Sequence, residues 1–421
     1  VLSSIAQGEG RLFQNVITIS PIPGAAEYTG INQAIINAIG TQNRDYLNGI
    51  LTSNIGSAPS ATYPFVLQVA PGQYTEELNQ IILPNYVSIR GESNYNTVIT
   101  QNSGSTLLED ASMIYAGDNS EIKDIVVKLA DSNKSLNSAG IYSRDKSNVV
   151  IDNCIVNTSS NSSTYGNTYG IYIKNGSNNK ILNSTIDINS SSLAGNVNAI
   201  YLNNTTPQLL NNSIDMLTSN STVNNGIYMT NCISSTSSIK DKLYIENLNL
   251  SNNYFTSNTG STNTGIDINN SCFILKNSEI EVSNNLDDTN NYGIKLNSTG
   301  NVAPYLSKTT TNVISFINTT TGVNAGLNTI ESSDISAINF VTENYDRGHY
   351  ISVSGSTAND GIYKISNTIT SNVITLETGF NLVNESASAG NNITLKALYD
   401  INIYNTTVKA SSNTIKNADT N

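Results

Sequence analysis

The stretch GIYIKNGSNNKILNSTIDINSSS, residues Gly170 to Ser192, contains short apolar bursts separated by Asn, Ser and Gly, and it is nearly free of charge. Similar stretches precede and follow it in the chain. The first isoleucine aligns with six others at spacings of 27 to 39 residues, and the set is Ile114, Ile141, Ile171, Ile200, Ile227, Ile266 and Ile294. Self-similarity at such a period indicates a repeat architecture.

Each repeat unit contains three strand-like bursts and shows no helical periodicity. The second burst reads NVVIDNCIVNT, PQLLNNSIDML or CFILKNSEIEV in three of the units. Leucine-rich and ankyrin repeats both need a helix, so the pattern instead predicts coils of a parallel β-solenoid in an all-β chain. Because side chains alternate along a strand, we expect Ile171 and Ile173 to point inward and Tyr172 and Lys174 to point outward.

Asparagine recurs at the bend that follows the middle strand of each coil. Asn tolerates a positive φ angle and bonds to nearby backbone, which suits it to tight corners. We therefore expect a structural ladder of asparagines at this corner, formed by Asn153, Asn183, Asn211 and Asn277, with Asn405 in the same position near the end of the chain.

The composition limits the possible partners. Only 12% of residues are charged, and 20 basic against 32 acidic residues give a net charge of -12. An acidic chain without basic clusters is unsuited to nucleic-acid phosphates, and no apolar run is long enough for membrane insertion. The widely spaced cysteines Cys154, Cys232 and Cys272 predict buried, unreactive thiols. We expect no cofactor and no metal site.

Residues 1–60 are expected to form an N-terminal strand and a capping helix. The segment AEYTGINQAIINAIGTQN carries apolar residues at helical spacing from Ile31 to Ile39. Thr29 is the expected N-cap, and Gly40 is the expected end of the helix. Such a helix would cover the open end of the first coil and prevent strand addition there.

The segment PFVLQVAPGQYTEELNQIILPNYVSIRGESNYNTVIT, residues 64–100, combines a strand, a Pro-Gly-x-Tyr turn with an acidic residue, and a strand ending in Gly. The residues that form this pattern are Pro71, Gly72, Tyr74, Glu76, Ile89 and Gly91. The pattern resembles the opening of the pectin-lyase-like superfamily, most closely that of pectin methylesterases. The resemblance implies a right-handed parallel β-helix over residues 61–301, as in virion and tail-fibre proteins of this type. It does not extend to the catalytic motifs, because the chain has no Trp and outer positions of its first sheet are mostly Tyr.

The repeat rhythm breaks after Gly300. Residues 302–397 contain alternating strands and Gly-containing turns such as GSTANDG, which predict an inserted antiparallel β module, a small barrel or a set of hairpins. Residues 398–421 return to the style of the solenoid coils. The only histidine, His349, lies in the insertion, where we expect it to be a surface residue of a strand.

Two sets of residues are candidates for a functional role. An outward row of aromatic rings stabilises a solenoid by stacking, or else contacts sugar rings or a neighbouring subunit. The row consists of Tyr115, Tyr142, Tyr172, Tyr201 and Tyr228. The second set contains alternative catalytic carboxylates, whose simpler interpretation is solvated turn residues: Asp267, Asp287 and Asp288. A lyase that uses calcium and an arginine base is disfavoured, since Arg144 is the sole arginine between residues 111 and 300.

The sequence therefore favours a non-enzymatic structural or adhesive protein at an extracellular or virion surface. Its expected partners are a polysaccharide of a host or other subunits of a particle or filament, including copies of itself in a trimer. The alternative is a polysaccharide-processing enzyme of tailspike or pectinase type, acting as a hydrolase, lyase or esterase; a bacterial adhesin is a third possibility. Two carboxylates about 5–10 Å apart in a groove would favour the enzyme.

Overall fold

The computed structural model of the chain consists almost wholly of strands and the turns between them. It describes residues 15–42, 51–54, 56–76, 80–101, 111–131, 137–160, 166–190, 195–219, 221–232, 243–254, 261–269, 271, 273–284, 290–297, 306–318, 328–341, 345, 350–387, 392–398 and 401–412. The strands form three long parallel sheets, one antiparallel sheet and a two-stranded hairpin of Gly40–Gln42 with Leu51–Asn54.

The parallel sheets form three sides of a solenoid, which the chain visits in the order sheet 1, sheet 2, sheet 3. Sheet 1 contains Ile81–Ile82, Ala111–Tyr115, Ser138–Arg144, Thr168–Lys174, Asn196–Asn203, Val223–Thr230, Thr262–Asn269 and Asn290–Asn297. Sheet 2 contains Asn15–Ile19, Phe65–Val69, Val87–Gly91, Glu121–Lys123, Val150–Asp152, Lys180–Leu182, Gln208–Leu210, Leu243–Glu246, Phe273–Lys276 and Ile401–Tyr404. Sheet 3 contains Gly72–Glu76, Thr97–Gln101, Val126–Asp131, Ile155–Ser160, Thr185–Ser190, Ser213–Thr218, Asn249–Tyr254, Glu279–Asn284 and Thr407–Ser412. This confirms the predicted parallel β-helix.

The core is a set of aliphatic columns that run through successive coils. In sheet 1, Ile141 pairs with Ile171, and Ile171 pairs with Ile200 in the next coil. Each of these side chains is fully buried. Cys154 and Cys232 lie in the same core as free thiols, and burial raises their pKa values to about 12 and about 11. They match the unreactive thiols predicted; Cys272 lies outside the described residues.

Asparagines form the corner between sheets 2 and 3, as predicted. Asn153, Asn183, Asn211 and Asn277 adopt φ angles of 49 to 56°, and Asn405 adopts 44°. The amide of Asn211 donates to Asn183 Oδ1 at 3.0 Å, and that of Asn405 donates to Asn277 Oδ1 at 2.9 Å. The ladder joins coils at a corner where a β-branched residue would be strained.

A short helix closes the N-terminal end of the core. It comprises an α-helical turn, Ile31–Ala34, and a π-helical turn, Ile35–Ile39, and it ends at Gly40 as expected. The N-cap is Gly30 rather than the predicted Thr29, whose side chain bonds instead to Gln33. The helical N–H groups of Ile31 and Asn32 donate to the two carboxylate oxygens of Glu76, at 2.8 and 3.0 Å. An acidic side chain from the first coil therefore supplies the cap.

Two further residues of the Pro-Gly-x-Tyr pattern, Tyr74 and Gly72, also have structural roles. The hydroxyl of Tyr74 donates to the carbonyl oxygen of Ala70 at 2.8 Å, and burial raises the pKa of Tyr74 to about 12. A Cβ atom on Gly72 would lie 2.4 Å from Pro21 Cγ. Glu76, Tyr74 and Gly72 therefore contribute to the packing of the first coil.

The antiparallel sheet occupies the chain between two strands of the solenoid. Its order is Leu306–Thr311, Asn392–Leu398, Tyr350–Ser354, Gly361–Ile369, Val373–Leu376, Asn328–Ser332 and Ile314–Asn318, around its own apolar core. After it, Ile401–Tyr404 pairs in parallel with Phe273–Lys276, and Thr407–Ser412 pairs with Glu279–Asn284. The chain thus resumes the solenoid where it had left it. His349 lies outside the described residues.

Candidate functional site

The outer face of sheet 1 carries the predicted row of tyrosines, which we call the tyrosine ladder: Tyr115, Tyr142, Tyr172, Tyr201 and Tyr228. The rings of Tyr172 and Tyr201 are stacked at 4.6 Å with an interplanar angle of 2°. Tyr201 and Tyr228 are stacked at 5.1 Å. Burial, and secondarily Tyr228, raises the pKa of the Tyr201 hydroxyl.

The tyrosine ladder is not exposed along its whole length, which corrects the expectation of an open aromatic stripe. Tyr115 and Tyr142 are only 2% and 5% exposed, because they pack into an apolar cluster with Ile82, Ala139 and Tyr169 on the outer face. The partly buried rings stack face to face on one another, so their faces are covered and mainly their edges reach solvent. A sugar ring needs an open aromatic face for stacking, and this geometry favours the structural role.

This stacking leads to a prediction for stability. Replacing Tyr201 by Ala removes stacked contacts with Tyr172 and Tyr228, and we expect it to lower the free energy of unfolding by about 2 kcal/mol. Tyr201→Phe keeps the ring and should cost less than about 1 kcal/mol. Urea denaturation measures both values. If both variants lowered the free energy of unfolding equally, the Tyr201 hydroxyl, and not the ring stacking, would be the source of the stabilisation.

Asp267 lies where the ladder would continue, and its position corrects the expectation of a solvated turn carboxylate. It belongs to the strand Thr262–Asn269, pairs in register with Tyr228 and Lys295, and is 4% exposed. Its surroundings are therefore those of a packed side chain on the outer face of sheet 1. Asp287 and Asp288 lie outside the described residues.

A groove on the outer face of sheet 3 brings together residues that the sequence reading did not single out. Its volume is about 440 Å³. Two columns of outward side chains line it, one formed by Lys128, Asn157, Asp187 and Asp215 and the other by Ser159, Asn189 and Leu217. We call this feature the sheet-3 groove. Because neighbouring coils are ~4.8 Å apart, its four coils provide a track along the solenoid axis for an extended ligand.

The charges in the sheet-3 groove are unevenly distributed. Asp187 and Asp215 are direct partners on adjacent strands, while Lys128 lies at the other end of the column, beyond Asn157. Burial, followed by the negative charge of Asp215, raises the pKa of Asp187 above its ordinary value. Asn157 Oδ1 is buried and accepts no hydrogen bond from the described residues. The groove thus offers carboxylates, amides and a hydroxyl, with the half-exposed side chain of Leu217 as an apolar surface.

A signal for this carboxylate pair is present in the sequence. The bursts containing Ile186-Asp187 and Ile214-Asp215 occupy the same position in consecutive coils. Aligning these bursts, in addition to the Ile-Tyr pairs, places the two aspartates side by side.

In the part of the chain that the structure describes, no group of three or more His, Cys, Asp or Glu side chains could hold a metal ion. None of the helices described is long and apolar enough to cross a membrane.

Comparison with known proteins gives a likeness of fold. No protein-family model and no curated protein matches the sequence. A solved pectin methylesterase from Aspergillus niger is 15% identical, with 69% of this chain and 83% of that chain covered and a TM-score of 0.36. The pectin methylesterase PemA from Erwinia chrysanthemi is 13% identical, with 70% and 95% covered and a TM-score of 0.29.

A third similar structure is the tailspike protein gp49 of Acinetobacter baumannii bacteriophage Fri1, a capsular polysaccharide depolymerase. It is 12% identical, with 79% of this chain and 77% of that chain covered and a TM-score of 0.19. This chain is a parallel β-helix. At these identities and scores the comparisons say nothing about its activity, and the fold itself rests on the three stacked sheets.

Proposed function

We propose that this protein is a structural β-helix of an extracellular or virion surface that binds a carbohydrate chain along the sheet-3 groove. The observation that carries the proposal is the pair of polar columns on either side of that groove. Amide, hydroxyl and carboxylate groups bind sugar hydroxyls, and Leu217 provides an apolar surface for the C–H face of a ring. Contact through the exposed edges of Tyr172, Tyr201 and Tyr228 stays a prediction.

Blocking the sheet-3 groove tests this function. Asn189→Trp places a large side chain in the groove. For any hexasaccharide that the unmodified chain binds, we expect this variant to bind at least tenfold more weakly. The matched control is Asn253→Trp, because Asn253 lies in the same column two coils further on, outside the groove. The hexasaccharides compared are neutral, acidic and amino-bearing, and calorimetry measures the affinities.

Two results would contradict the proposal. One is the absence of binding for all three hexasaccharides. The other is equal binding by Asn189→Trp and the unmodified chain. Tyr201→Ala serves as a further control, because it disrupts the tyrosine ladder on another sheet. If Tyr201→Ala lost glycan binding while Asn189→Trp kept it, the binding surface would be the tyrosine ladder and not the sheet-3 groove.

A second function, glycoside hydrolysis, is favoured by one specific observation. Asp187 and Asp215 are neighbours in a groove, and the raised pKa of Asp187 suits a general acid while Asp215 is exposed and suits a base or nucleophile. Release of new reducing ends from the bound glycan measures this activity. If hydrolysis occurs, Asp187→Asn should abolish it. Retention of hydrolysis by that variant would exclude Asp187 as the acid.

A further inference from the structure

We infer that the sheet-3 groove selects a glycan bearing a protonated amino group, that is, an amino sugar without an N-acetyl group, over neutral and acidic glycans. The inference rests on the proposed function, because it names the class of carbohydrate that the same groove binds.

The first argument is the uncompensated charge of the carboxylate pair. Asp187 and Asp215 face outward from adjacent strands, and like charges placed opposite each other in a sheet are destabilising. No Lys, Arg or His within the described ranges forms an ion pair with either of them. Lys128 is separated from Asp187 by Asn157 in the column. A bound ammonium group between the two carboxylates would relieve this repulsion.

The second argument is the unused acceptor next to the pair. Asn157 Oδ1 is inaccessible to solvent and accepts no hydrogen bond from any residue that the structure describes. A buried acceptor without a donor costs about 1–3 kcal/mol. Because this oxygen is closed to solvent in the unbound chain, it serves a ligand only when the half-buried Asn157 side chain turns toward a donor held at Asp187, its register partner on the adjacent strand. An ammonium group has three N–H donors and no acceptor, which fits the two carboxylates at this end of the groove.

The third argument is the chemistry of the second column of the groove, which carries no charged side chain. Ser159 and Asn189 offer hydrogen bonds and Leu217 offers an apolar contact, so one side of the groove suits the uncharged part of a sugar. A bare metal ion would leave this wall unused. A uronic acid would place its carboxylate against Asp187 and Asp215, and like-charge repulsion would oppose its binding.

The test compares three hexasaccharides that differ in charge, using the full chain at low ionic strength and about pH 6, where ordinary carboxyls are ionised. They are the hexamer of glucosamine, its fully N-acetylated form, and hexagalacturonate. We expect the glucosamine hexamer to bind about tenfold more tightly than the acetylated form, and hexagalacturonate to bind most weakly. Calorimetry measures the three affinities.

Charge-matched variants separate the groove from the general attraction of an acidic protein for a cation. Asp215→Asn removes one negative charge from the groove and should abolish most of the preference for the amine. Glu281→Gln removes one negative charge from the same column two coils away, outside the groove, and should leave the preference unchanged. Equal effects of the two variants would overturn the inference.

The outcomes distinguish the inference from the proposed function. Equal affinities for the amine and the acetylated hexamer, with sensitivity to Asn189→Trp, would overturn the amine preference and leave glycan binding in place. Tighter binding of hexagalacturonate than of the glucosamine hexamer would likewise overturn the amine preference and leave glycan binding in place. Absence of binding for all three would overturn both.

Discussion

Replacement of Glu76 by Ala is expected to lower the free energy of unfolding of the N-terminal coils by about 4 kcal/mol. Glu76 is 3% exposed, and its two oxygens accept hydrogen bonds from Ile31 N and Asn32 N at the start of the capping helix. Without them, two buried N–H groups lose a charged acceptor, and each such bond is worth about 1.5–3 kcal/mol. Hydrogen exchange of the amides in residues 65–101 measures the change.

Glu76→Gln is the matched control for this prediction. Glutamine keeps the length of the side chain and one acceptor oxygen, so we expect about half the loss. Opening of the helix should expose the first coil without disturbing the later ones, because the coils of a solenoid contact mainly their neighbours. If Glu76→Ala left the exchange of these amides unchanged, the helix would not be the cap of the core.

Replacement of Gly91 by Ala is expected to destabilise the same end of the solenoid by about 3 kcal/mol. A Cβ atom on Gly91 would lie 2.1 Å from the carbonyl oxygen of Asp124 and 2.9 Å from Ile125 Cγ2. Asp124 has a φ of 55° at the corner of the next coil, so its backbone has little freedom to shift. Overpacking against backbone is among the more costly core substitutions.

Gly30→Ala is the comparison for Gly91→Ala. The nearest atom to a Cβ on Gly30 is Gln33 Cβ at 3.8 Å, and its φ of -135° suits any residue, so the cost should not exceed the about 1 kcal/mol that is typical of Ala at an N-cap. Thermal unfolding of both variants measures the difference. Similar melting temperatures for the two would show that the coils are not stacked as closely as the distances require.

The repeat rhythm predicted the solenoid because every coil repeats the same physical problem. Ile171 and its equivalents fill one column of the core, and Asn183 and its equivalents turn one corner at a positive φ, so both signals recur along the chain. The cap of the helix was not predictable in the same way. Its acceptor, Glu76, lies 45 residues away from Ile31, and only the folded first coil brings them together.

The candidate functional surface was harder to predict than the fold, for two reasons. Alternation places Tyr115 and Tyr142 on the outer face, yet outward residues become buried when other outer-face side chains pack over them. The sheet-3 groove depends on which outward residues of consecutive coils share a column. Taken singly, Asp187 and Asp215 are ordinary polar positions of a strand, and only the register between adjacent strands places them side by side.

The position of a bound sugar tests the central claim most directly. Crystals of the full chain grown with the glucosamine hexamer should show the sugar along the sheet-3 groove, with an amino nitrogen within hydrogen-bond distance of Asp187 or Asp215. Sugar bound instead along the tyrosine ladder of sheet 1, with an empty sheet-3 groove, would contradict it.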